Sequence, residues 1–127
     1  MVFTYEKPKF LKKLSEALEA IGIPVKIYKV EKVLLRGKDV TKFIKGKYSP
    51  ERNEIILTPY ADKHTLVHEL AHALVEYYNP GIYEEVAQLP PKKRTEMGIK
   101  IEKMAKKYED EAREILEEAE ELISPEE

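Results

Sequence analysis

His68-Glu69-Leu70-Ala71-His72 constrains this chain more than any other stretch, because two histidines four apart have a use only if the backbone between them is helical. On a helix, residues i and i+4 lie one above the other with Cβ atoms about 5 to 6 Å apart, so His68 and His72 can reach one metal ion at about 2.0 to 2.1 Å. Glu69 then stands beside the ion without binding it. The surrounding residues supply the helix: Thr65 to Tyr78 contains no Gly or Pro, carries Leu66, Leu70, Ala73 and Leu74 at helical spacing, and stops before Asn79-Pro80-Gly81. Asp62 is the expected N-cap.

The pattern H-E-x-x-H has a chemical reading. Zinc held by two imidazoles and one further ligand keeps a position for water and lowers its pKa toward about 7, and the Glu69 carboxylate takes the proton. The reaction this names is metal-assisted hydrolysis of a peptide bond, with Glu69 as catalytic base and a peptide or unfolded protein as substrate. Tyr77, Tyr78, Tyr83, Tyr108 and Arg94 are candidates for a second electrophile at the oxyanion, and none is assigned. The chain has no cysteine, so thiolate ligands and disulfides are excluded, and the ion must be held by His and carboxylate.

The third ligand has to come from elsewhere. His64 and Glu76 share the row of His68 and His72 but sit about 6 Å beyond either end, too far to close a tetrahedral site on a straight helix. Glu84 and Glu85 follow the Asn79-Pro80-Gly81 reversal, yet the helix ends about 9 Å past His72 and leaves them few residues in which to return. Glu102 lies on a later helix with ample slack, and Glu96 and Glu109 share that helix.

Around this motif the elements read in the order helix, strands, hairpin, helix, loop, long helix. Lys9 to Ile21 places Phe10, Leu11, Leu14, Leu18 and Ile21 at helical spacing and closes at Gly22. Val25 to Val30 reads as a strand, and Val33 to Leu35 as a continuation of the sheet before a turn at Gly37-Lys38-Asp39. Phe43 to Tyr48 and Glu54 to Leu57 flank a turn-rich connector and form a hairpin. From Pro91 to Ile123 the pattern is one long helix. Its seam of Ile101, Ala105, Tyr108, Ala112, Ile115, Ala119 and Leu122 steps by four and three, as in a coiled coil, and wants a partner: its own body, or a second copy in a homodimer.

At 127 residues the chain reads as a single α+β domain, residues 1–90 carrying the sheet and the motif helix and 91–123 the long helix. No apolar run reaches the roughly 18 residues of a membrane span and no leader opens the sequence, so the expected location is cytoplasmic. Two Asn, one Gln and 36% charged residues form the balance expected of a thermophile. The net charge of -2 hides an asymmetry: up to Tyr108 there are 21 basic and 14 acidic residues, against one and 10 afterwards. The basic excess is spread out and belongs to no nucleic-acid motif, so nucleic acid is not an expected partner.

Residues 40 to 110 resemble the gluzincins, zinc peptidases whose third ligand is a Glu on a second helix, and above all their short soluble archaeal forms, the minigluzincins. The hairpin from Gly46 to Leu57 ahead of the motif is similar to the ImmA/IrrE-like peptidases, as is Glu102-Lys103-Met104-Ala105-Lys106-Lys107-Tyr108 to their E-x-x-A-x-x-aromatic ligand helix. HtpX-type membrane peptidases resemble the same core but add spanning helices. Lys106 departs from the Asp or Asn these families often carry there, and Glu84-Glu85-Val86-Ala87 also fits E-x-x-A. The resemblance implies a minimal zincin fold, Zn²⁺ on His68, His72 and Glu102, and an extended substrate on the hairpin edge. It also implies latency through the segment after Tyr108. The alternative from another class is a regulatory or binding protein that keeps the zinc site as structure and cleaves nothing.

Overall fold

The computed structural model describes residues 7–123 and is a mixed α+β arrangement. Helix α1 (Pro8–Ile21) opens on a proline, whose missing N–H costs nothing in a first turn, and buries Leu11, Leu14, Ala17 and Leu18. It stops at Gly22, where φ is +103° and the chain reverses: the Gly22 amide donates to the Glu19 carbonyl and the Ile23 amide to that of Leu18. Strand β1 (Lys26–Lys29) follows, then the short strands β2 (Leu34–Leu35) and β3 (Lys38–Asp39), β4 (Gly46–Ser49) and β5 (Glu54–Leu57).

The main sheet has the order β1-β5-β4, with β1 parallel to the central β5 and β4 antiparallel to it. The connector between β4 and β5 is fastened to the rest of the chain by Asn53. Its amide nitrogen donates to the Pro24 carbonyl at 2.7 Å and its oxygen accepts from the Tyr48 hydroxyl at 2.7 Å. Two details of the sequence reading change. Phe43 lies in a single 3₁₀ turn (Thr41–Phe43) rather than in the hairpin strand, which starts at Gly46. Leu34 and Leu35 do not extend the main sheet; they pair with Lys38 and Asp39 in a separate two-stranded ribbon. The cause is the turn between them: Arg36 and Gly37 both have positive φ, 52° and 81°, the tight two-residue hairpin that folds a strand back on itself.

Gly46 sets how closely the sheet meets the motif helix. A Cβ there would lie 2.8 Å from Thr65 Cγ2, so only glycine lets β4 come this near α2 (Lys63–Tyr78). After α2 come α3 (Ile82–Ala87), a six-residue helix within the expected loop, and α4 (Pro91–Glu121).

One hydrophobic core joins all of these layers, with Leu14, Leu18, Ile55, Leu66, Leu70, Leu74 and Leu116 fully enclosed. The long helix fills its seam with the chain's own body. Ile101, Ala105, Ala112 and Ala119 are buried as the spacing predicts, but Leu116 is the large enclosed residue of the second half and Leu122 is exposed. A straight helix drifts about 20° per heptad from a 3.5-residue seam, and over two heptads the buried stripe broadens to take in Leu116 while Ile115 stays partly buried beside it. Ala112, Leu116 and Ala119 are thus packed into the core, and a segment covering the site from here would first have to leave it. Among the described residues no helix is long and apolar enough to cross a membrane.

Candidate metal centre

Helix α2 begins where Asp62 caps it. The Asp62 carboxylate accepts from the Thr65 amide at 2.8 Å, and the Thr65 hydroxyl accepts from the Asp62 amide at 3.3 Å, a reciprocal box that fixes the first turn. From Thr65 to Val75 only His68 and Glu69 are more than marginally exposed. With its other faces committed to the core, the helix turns the motif toward α4.

Glu102 and Glu109, one heptad apart on α4, meet it there. The two oxygens of Glu102 divide between the histidines: Oε1 lies 3.1 Å from His72 Nε2 and Oε2 lies 3.4 Å from His68 Nε2. Each histidine thus faces its own carboxylate oxygen, and the carboxylate spans the gap between the two rings. One ligand atom from each of His68, His72 and Glu102 falls within 4.8 Å of the others, a group that could hold a metal ion.

The outer nitrogens decide which tautomer faces this group. His68 Nδ1 is 2.8 Å from Glu109 Oε2, and an ionised carboxylate can only accept, so the proton sits on Nδ1. His72 Nδ1 is 2.7 Å from the Tyr83 hydroxyl, which donates onward to the His72 carbonyl at 3.2 Å and so accepts from Nδ1–H. Burial pushes the Tyr83 hydroxyl well above its ordinary pKa, which keeps it a neutral relay. In the neutral form of each ring the Nε2 lone pair then faces the Glu102 carboxylate. A cation between these acceptors would satisfy them together, and a carboxylate or hydroxyl on the far nitrogen is how metal-binding histidines are oriented. Burial also lowers the His72 pKa, so its ring is held neutral, as a ligand must be.

Glu69 stands apart from this set. Burial raises its carboxyl above the usual range, while the nearby His68 and a hydrogen bond from the Tyr48 backbone in β4 act the other way. The catalytic candidate is thus placed between the motif helix and the edge of the sheet.

The other sequence candidates go elsewhere. His64 is exposed in the first turn of α2, and Glu76 accepts from the Gly81 amide at 2.6 Å, tying α2 to α3. Glu84, Glu85, Glu96 and Lys106 are exposed and outside the cluster. Tyr78 donates to Glu111 and tilts against Tyr108, and Tyr77 and Arg94 are exposed. The orienting roles of Glu109 and Tyr83 are what the sequence reading missed; they had been read as an alternative ligand and as an oxyanion candidate. Only the crossing of three helices reveals them, and no local spacing signals it. A groove of about 550 Å³ between α1 and β1 is lined by none of the site residues. Comparison with known families, with curated proteins and with solved structures finds no match for this chain.

Proposed function

We propose that the protein is a zinc-dependent peptidase of gluzincin type, with His68, His72 and Glu102 as ligands and Glu69 as general base. The observation that carries this reading is the pair of Nε2 atoms converging on Glu102 while both Nδ1 atoms are held from outside. The donor set is two imidazoles and one carboxylate, the set of catalytic rather than structural zinc, which leaves a coordination position open. Zinc bound there supplies Lewis acidity that makes water a nucleophile near neutral pH and polarises the scissile carbonyl.

Glu69 takes the proton from the attacking water and returns it to the leaving amine. Its raised pKa suits both halves of that task, since a base that is too acidic holds a proton poorly. Glu109 and Tyr83 keep the imidazole rings aimed through both steps. The half-exposed Glu102 side chain leaves the centre open to solvent, and the neighbouring edge strand β4 offers backbone groups along which an extended peptide can lie.

The test combines metal content with turnover. Purified protein is expected to hold about one zinc per chain. His68→Ala and Glu102→Ala should lose the metal, whereas Glu69→Gln should retain it and lose hydrolysis of an unfolded protein. A zinc-loaded wild type that cleaves nothing would favour the binding-protein reading. Activity of Glu69→Gln equal to wild type would refute the general-base role.

A further inference from the structure

The β2–β3 ribbon spends two leucines where they bury nothing. Leu34 and Leu35 are 62% and 64% exposed, and no residue of either strand is buried. Its base is nevertheless well built. The Val40 amide donates to the Val33 carbonyl at 2.9 Å, the Val33 amide to the Thr41 hydroxyl at 2.9 Å, and Thr41 is itself buried. One turn further on, Phe43 is 74% exposed with Lys42 Nζ 5.1 Å above its ring.

The charges around these apolar groups are predominantly positive. Between residues 32 and 45 the exposed side chains include Lys32, Arg36, Lys38, Lys42 and Lys45. The one acid in that stretch, Asp39, has its carboxylate occupied by the Thr41 amide and hydroxyl.

We propose that this ribbon is a docking element for an anionic lipid bilayer, with Leu34 and Leu35 entering the acyl boundary and the basic side chains meeting acidic headgroups. Neighbouring residues of a strand point to opposite faces, so the two leucines project on both sides of the ribbon. A protein partner covers one face of such a tip and leaves the other leucine in water, whereas a bilayer surrounds both. Nucleic acid would match the charge but has no use for aliphatic side chains, since single strands bind by stacking on aromatic rings. Basic residues flanking an apolar insertion are the two signals that together hold a protein at a membrane surface without a spanning helix.

The full chain should sediment with vesicles containing phosphatidylglycerol, stay in solution with pure phosphatidylcholine, and release as salt rises. The double variant Leu34→Ser/Leu35→Ser should bind at least about tenfold more weakly. Lys32→Gln/Lys38→Gln/Lys42→Gln should lose the preference for anionic lipid. Because the ribbon buries no side chain, both variants should melt with the wild type. Absence of binding to anionic vesicles overturns the proposal, and so does binding by either variant equal to that of the wild type. A wild-type dimer that the leucine variant converts to monomer would assign the ribbon to a second copy instead, which also overturns it.

Discussion

The two halves of α4 share one backbone and have opposite duties. Up to Glu109 the helix presents Glu102 and Glu109 to the motif histidines, and beyond it Ala112, Leu116 and Ala119 are sealed into the core. The first half buries only the narrow stripe of Ile101 and Ala105 and gives its other face to chemistry, with Glu102 about half open to solvent. The second is specified by volume and tolerates almost no change. The lesson is that a ligand on an exposed helix face gains its precision from packing further along the same helix. The helix acts as a rigid lever, with its fulcrum in the core.

The harshest way to break this comparison is to cut the chain after Tyr108. Removal of Ala112, Leu116 and Ala119 opens the core against α1 and α2, and loss of cooperative unfolding by calorimetry is the expected outcome. A folded, zinc-binding fragment with raised peptidase activity would instead mean that the segment is a detachable cover. Next in size, Leu116→Ala should cost about 2 to 5 kcal/mol in urea unfolding while zinc affinity of the folded protein stays near wild type.

Glu109→Ala inverts that pattern. Zinc affinity should fall about 10- to 100-fold, as when an orienting partner of a metal-bound histidine is lost, with little change in the stability of the metal-free protein. Equal effects of the Leu116 and Glu109 variants on both readouts would erase the distinction between the halves.

The smallest effect concerns Glu69 in chelator-treated protein. Because burial raises its carboxyl, the unfolded chain loses this proton first as pH rises past about 4.5, and the folded form keeps it longer. Stability from this group therefore declines as pH rises through that window. His72 has the opposite sign: its pKa is depressed, so the unfolded chain gains the proton first as pH falls below about 6.5, and stability declines on acidification. Glu69→Gln should remove the first decline and leave the second, as read from urea midpoints across pH.

What the sequence made legible follows the range of the interaction. His68, Glu69 and His72 were readable because their geometry is set within one helical turn, and Asp62 because a cap needs only its next three residues. Glu102 required an argument about chain slack together with a family resemblance, since 30 residues separate it from His72. Glu109 and Tyr83 were named without their roles, which depend on how α2, α3 and α4 cross. In the fold, the long helix was legible from its start at Pro91, but the exchange of Ile115 for Leu116 at its core was not, because adjacent apolar residues make the seam ambiguous. The β2–β3 ribbon was misplaced for a related reason. A pair of leucines reads as sheet core until the turn geometry at Arg36-Gly37 folds them away.

The order of the ligands along the chain has a consequence for the moment of synthesis. A ribosome delivers His68 and His72 first, then Glu102, and only later Leu116, the residue that clamps the ligand helix in place. Domains fold as their segments emerge, at about 5 to 20 residues per second, so for a few seconds the nascent chain carries both imidazoles with no carboxylate to complete the set. Nothing seals the far half of α4 into the core until Leu116 has come clear of the exit tunnel, so His68, His72 and Glu102 are held together only late in synthesis.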